Sequence, residues 1–167
     1  MRLTTRSNLA LRTLMYCAVN QGRIVRKQDI AAACNASENH LGQVIYRLSQ
    51  LGYLTTLRGR SGGVALGRPA EEVHVGVILR QFETRLPFAE CFDERQNTCP
   101  LVDACRLRPA LAAAIEAFYD ALVPVTLHDL VAGNHCLADL LHHADSRILP
   151  VTCPGPEAKP PRLPHHA

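Results

Sequence analysis

Apolar residues recur at helical spacing through the first part of the chain and then give way to a short strand-like stretch, a pattern of small helices followed by a hairpin. Over residues 5–20, Ala10, Leu14, Cys17 and Ala18 share one face, and Gly22 follows where a helix should stop. Lys27 to Cys34 predicts a short second helix with Ile30, Ala31 and Cys34 inward, and Asn35-Ala36-Ser37 predicts a turn. In the third helix Leu41, Val44, Ile45, Leu48 and Leu51 fall in register; Ser37 is placed to accept a backbone N–H at its start and Gly52 to end it. Two short helices joined by a tight turn form a helix-turn-helix. Tyr53 to Arg58 then reads as a strand, Gly59-Arg60-Ser61-Gly62-Gly63 as turn chemistry and Val64-Ala65-Leu66 as the returning strand, which makes a wing.

Beyond the wing, Val73 to Phe82 predicts another helix that packs through Val77, Ile78 and Leu79. Pro109 suits the first turn of a longer helix whose stripe is Leu111, Ile115, Phe118 and Leu122; Pro124 breaks it, and Thr126 to Val131 supplies one more turn before Gly133. A chain with one small helix-turn-helix needs a second copy to read two half-sites about 34 Å apart, so the stripe is expected to mark a dimerisation helix and the protein to be a homodimer. From Asp145 onward six prolines interrupt every period, and residues 145–167 are expected to be a disordered Pro-rich tail. The predicted architecture is mainly α with a small β-hairpin wing. It comprises a winged helix-turn-helix over 1–83, a cysteine loop over 84–108 and a dimerisation region over 109–135.

Charge sharpens this picture. The net +3 conceals ten Lys and Arg against only Asp29 and Glu38 in residues 1–68, or +8, and eight against thirteen in residues 69–167, or −5. A cationic winged helix is expected to bind double-stranded DNA, because phosphate neutralisation supplies sequence-independent affinity. The candidate contacts are Ser37, Glu38, Asn39, His40 and Gln43 at the start of the recognition helix, with Arg47 further along and Arg58 and Arg60 on the wing. Asn39 and Gln43 can pair adenine edges, and the arginines suit phosphates or a minor groove.

Cys91, Cys99 and Cys105 lie close together in a stretch with polar residues and Pro100 between the thiols and no apolar period. Structural cysteines behave as small hydrophobes and would sit at periodic positions, as Cys17 and Cys34 do. Zinc ribbons favour paired C-x2-C knuckles and four ligands. Wide gaps suit an iron-sulfur core, which itself spans the distance between thiolates. The absent fourth cysteine points to another residue or a small molecule completing the site, and to a labile sensor rather than an electron carrier. A metal-free thiol switch is the competing use of such a loop. Cys136 and Cys153 fall outside it, and the pairs His142-His143 and His165-His166 read as solvated terminus. The chain carries no Walker loop, G-x-S-x-G or HExxH motif, so no enzymatic chemistry is expected. Its N-terminal stretch has no secretory apolar core and no run is long enough to span a bilayer; the expected compartment is the reducing cytoplasm, with no membrane partner.

The order of parts and several stretches resemble the Rrf2 family of bacterial winged-helix repressors across about residues 1–135. The matching stretches are Met1-Arg2-Leu3-Thr4, the wing from Arg58 to Gly67, and Thr126-Leu127-His128-Asp129-Leu130-Val131. Within that family Cys91-Phe92, Cys99-Pro100-Leu101-Val102-Asp103 and Cys105, together with Leu14-Met15-Tyr16-Cys17-Ala18, are similar to the rhizobial iron-regulator (RirA) branch. The resemblance implies a [4Fe-4S] cluster held by Cys91, Cys99 and Cys105, with [2Fe-2S] as a degradation form, and a holo dimer that represses iron-responsive genes. In the nitric-oxide-sensing (NsrR) branch an Asp on the first helix supplies the fourth ligand from the partner subunit; here that position corresponds to Asn8, a poor ligand to iron. The IscR branch uses a nearby histidine, and none lies between Cys91 and Cys105.

Overall fold

The computed structural model describes residues 3–59, 62–83, 87–93 and 95–142. Helix α1 (Thr5–Val19) begins where the Thr4 hydroxyl accepts from the Ser7 N–H, and its buried face carries Leu9, Ala10, Leu14, Cys17 and Ala18. Helices α2 (Lys27–Ala33) and α3 (Glu38–Gln50) are joined through Asn35, which takes the left-handed conformation (φ 47°) that Asn tolerates better than most residues. Gly52, at φ 76°, ends α3 as the sequence predicts. The wing pairs β1 (Leu54–Leu57) with β2 (Gly63–Leu66) in antiparallel register from Leu54↔Leu66 to Leu57↔Gly63. Val25 adds a short third edge, its N–H and C=O both bonded to Val64 at 2.8 Å.

A 3-10 turn at Ala70–Glu72 precedes α4 (Val75–Glu83), and α5 (Leu107–Leu122), α6 (Leu127–Val131) and α7 (His135–His142) follow. The main core gathers Leu14, Ile30, Leu41, Leu48, Val73, Ile78 and Leu127, while a smaller one gathers Val75, Leu79 and Tyr119. Helix α4 is therefore a shared wall, with Ile78 facing one core and Leu79 the other. Ile115, Phe118 and Leu122 of the predicted dimerisation stripe pack against this smaller core, so much of that stripe is used within the protomer. Helix α7, absent from the sequence expectation, lays buried Leu141 against the main core, and His142 Nδ1 lies 3.1 Å from Asn20 Oδ1. Residues 145–167, Cys153 and the histidines at 143, 165 and 166 lie outside the described residues. Among the described residues no helix is long and apolar enough to cross a membrane.

Helix α6 is short and depends on its cap. Thr126 and Asp129 form a reciprocal capping box: the Thr126 N–H and hydroxyl donate to the Asp129 carboxylate at 2.8 and 2.7 Å, and the Asp129 N–H donates back at 3.1 Å. The Thr126 backbone bond, then its hydroxyl bond, hold the Asp129 carboxyl below its ordinary value of 3.8. A carboxylate with a depressed folded pKa stabilises above its unfolded pKa, and that contribution fades as pH falls through the folded one. Asp129→Asn is accordingly expected to melt below the parent near neutral pH, with the gap closing as pH drops beneath the ordinary aspartate range. Thermal melts of both proteins across that range measure it; a gap independent of pH would refute the assignment.

Candidate nucleic-acid interface and cysteine loop

The recognition helix is built from its cap outward. Ser37 accepts from the His40 N–H at 3.3 Å, and Glu38 pairs with Lys27 across the turn at 3.1 Å. Leu41, Val44, Ile45 and Leu48 bury the opposite face, which leaves Ser37, Glu38, Asn39, His40 and Gln43 exposed. Arg47 is half-buried, Arg58 is exposed where β1 leaves the sheet, and Arg60 lies outside the described residues. Gly59, at φ 114°, turns the wing, and its carbonyl accepts from the Gly62 N–H at 2.9 Å.

Two features of this face were missed by sequence reasoning. Tyr46 is 65% exposed, and Gln50 donates to its hydroxyl at 2.8 Å. Asn39, Gln43, Tyr46 and Gln50 follow each other at intervals of four, three and four, a polar stripe opposite the core stripe that could have been read from the sequence. The second feature is Arg6 on α1, whose Nη2 donates to Gln43 Oε1 at 2.9 Å. Arg6 also joins Gln43, Arg47, Tyr46 and Phe82 in lining a cleft between α1, α3 and α4.

Cys91 sits in a 3-10 turn at Glu90–Phe92, Cys99 stands just before another at Val102–Ala104, and Cys105 ends that turn ahead of α5. All three thiols are free and half-buried, whereas Cys17 and Cys34 are buried core residues as expected. Burial first, and the neighbouring Cys34 second, push the Cys17 thiol up to about 12; burial raises Cys34 too, against the pull of the Arg12 guanidinium. Those two are inert packing. The loop is tied by one carboxylate: Glu90 accepts the Thr98 N–H and hydroxyl at 2.7 and 2.6 Å, and the hydroxyl bond, then the backbone bond, lower its pKa. Phe92 packs edge-on against Phe88 at 6.2 Å and lies under Arg108.

Among the described residues no three His, Cys, Asp or Glu side chains converge as they would around a single metal ion. The three thiols thus share a loop without forming a closed mononuclear shell. As a donor set they fit a larger iron-sulfur core: free, partly solvent-facing and unclaimed by any disulfide.

The loop is flanked by a tightly joined helix pair. Gly76 of α4 meets the backbone of α5 so closely that a Cβ there would press on the Tyr119 carbonyl and stand 2.6 Å from Val123 N. Arg80 bridges Glu116 and Asp120, the latter at 3.1 Å, and covers the Tyr119 ring at 4.9 Å. At the loop's entry Glu83 accepts the Thr4 N–H at 2.8 Å, fastening the end of α4 to the start of α1.

The Rrf2 family profile, described as "Iron-dependent Transcriptional regulator", matches residues 3–133. The HTH-type transcriptional regulator NsrR of Geobacillus kaustophilus is 41% identical over 142 residues, 84% of this chain and 97% of that one. Protein aau3 of Rhizobium meliloti is 43% identical over 134 residues, 80% of this chain and 87% of its own length. Among solved structures, CymR, the global cysteine regulator of B. subtilis, superposes with a TM-score of 0.60 at 23% identity over 79% of this chain and 97% of that one. IscR of T. potens superposes with 0.61 at 24% identity, covering 78% and 85%. Both carry the winged-helix architecture predicted from the sequence. A profile that spans the winged helix, the cysteine loop and α5 together, with relatives this similar over most of both chains, places the protein in the Rrf2 family: it is a transcriptional regulator and not an enzyme.

Proposed function

We propose that this regulator is a homodimeric, cytoplasmic repressor of iron-responsive genes whose grip on operator DNA depends on an iron-sulfur cluster, [4Fe-4S] in form, held by Cys91, Cys99 and Cys105. The observation that carries the reading is three free, half-exposed thiols in one loop that joins the last helix of the winged domain to α5. Ligation there would supply sensitivity to iron. The protein's own part is mechanical. Holding the three thiols orders residues 90–105, and the loop's entry is fastened through Glu83 and Thr4 to α1, whose Arg6 touches Gln43 of the recognition helix. An ordered loop then favours one placement of α1 against α3, and a ligand shifts an equilibrium only by such a differential interaction. The RirA-like thiol spacing and the family's iron-dependent description support iron as the signal.

Response to nitric oxide is a second reading, favoured by the relatives named NsrR. Asn8 speaks against it: the side chain is exposed on α1 but carries an amide in place of a carboxylate. The deciding experiment is the iron and sulfide content and visible spectrum of anaerobically purified protein, repeated with an iron chelator and then with nitric oxide. A coloured form that decays under mild chelation is expected. A chelator-resistant cluster that reacts quickly with nitric oxide would favour the second reading, and colourless, metal-free protein would leave a thiol switch.

A further inference from the structure

Gln43 is an exposed recognition-helix residue whose hydrogen-bonding capacity is partly committed to another helix before any DNA arrives. A guanidinium has only N–H donors, so the Gln43 atom facing Arg6 at 2.9 Å is necessarily the carbonyl oxygen Oε1. The amide NH2 is the group left to face outward. That arrangement changes what Gln43 can read. Pairing with adenine uses both ends of the amide, the oxygen accepting from N6 and the nitrogen donating to N7, whereas guanine presents two acceptors, N7 and O6, in the major groove. The carbonyl keeps a second lone pair, but the bond turns the oxygen toward α1, so the amide NH2, beside an arginine with further N–H groups, presents mainly donors.

We propose that Arg6 is a positioning residue for sequence readout: it holds the Gln43 carbonyl and so biases that side chain toward the acceptor edge of guanine over adenine. The inference rests on the DNA-binding reading and deepens it. It gives Arg6, on α1 and outside the helix-turn-helix, a part in the recognition surface. Arg6 and Gln43 are both exposed, so the bond is an ordinary solvent-facing one and its effect on base choice is correspondingly modest.

The test is selection of duplexes from a library with a randomised core by the anaerobically purified full-length protein, with sequence counts before and after. The base pair under Gln43 is the one whose preference collapses in Gln43→Ala. At that pair the parent is expected to favour guanine, Arg6→Ala to move the guanine-to-adenine ratio toward adenine on the order of fivefold, and Arg6→Lys, which still donates, to keep guanine. Arg6→Ala should add no shift in the Gln43→Ala background. An unmoved ratio with a uniform loss of affinity would make Arg6 a phosphate contact and overturn the proposal, as would a parent that prefers adenine there or a Gln43→Ala profile with no collapsed position. Failure of the parent to enrich any duplex would overturn the DNA-binding reading and this one with it; enrichment with an unmoved ratio overturns this one alone.

Discussion

The Cys99→Ala variant is expected to be colourless after anaerobic purification and to bind its operator at least about tenfold more weakly than the parent, while melting at the same temperature as the cluster-free parent. The expected size follows from the coupling free energies of switching proteins, about 1–3 kcal/mol, which correspond to about 5–150-fold in affinity. The unchanged melt follows from the local structure. The Cys99 thiol is free and half-buried, and what holds this part of the loop is the Glu90 carboxylate on Thr98 and the Asn97 side chain accepting from the Cys99 N–H at 3.1 Å, none of which uses sulfur. Cys136→Ala, on α7 and outside the loop, should leave both spectrum and binding as they are. Visible absorbance, iron content and a binding titration on each variant settle it. Parental operator affinity in colourless Cys99→Ala would sink the coupling, and parental absorbance would remove Cys99 from the ligand set.

The second large effect is on stability. Gly76→Val is expected to cost about 3 kcal/mol, lowering the melting temperature by about 6–12 °C in a chain of this length. Two opposing terms decide the sign. Replacing a helical glycine gains up to about 1 kcal/mol in backbone propensity. Against this, the atoms that a Cβ would meet are backbone atoms of α5, the Tyr119 carbonyl and Val123 N, which cannot swing aside as a side chain would, so the helices must separate and open the Val75, Leu79, Tyr119 core. Gly42 provides the contrast: it lies inside α3 with nothing within 4 Å of its notional Cβ, so Gly42→Ala should stabilise by up to about 1 kcal/mol. Thermal melts that lower the first and raise the second would match the packing; a Gly76→Val protein as stable as the parent would contradict the close approach of α4 and α5.

The winged helix was legible in the sequence because each of its parts carries its own local signal. Leu41 to Leu48 keep a helical period, Ser37 and Gly52 mark the ends of α3, and the glycines of the wing punctuate two short strands; all of these lie where the chain predicts them. Helix α7 was not legible, because its few apolar residues follow directly on a turn and precede a proline-rich stretch, and only packing against the α1 side of the core reveals them. The stripe on α5 was read correctly as apolar, but a period cannot say whether its partner is α4 of the same chain or a second copy. The cysteines were visible as residues and not as geometry. The contact between Arg6 and Gln43 spans 37 positions, which no local pattern encodes. Long-range pairings of this kind are set by how helices lie against one another, after each helix has already been specified.

The close seating of α5 on Gly76, reinforced by Arg80, has a consequence for how such a regulator can change over generations. With α4 and α5 joined through Gly76 and Arg80, the pairing of these two helices does not depend on the length of the chain between them. Lengthening a loop closed in this way costs little, about 0.6 kcal/mol for each doubling. Thiol spacing can then be altered by insertion, deletion or substitution without rebuilding the helices on either side. On the proposed cluster reading the segment would behave as an exchangeable cassette, so that one DNA reader could be fitted to a new chemical stimulus while its scaffold is kept.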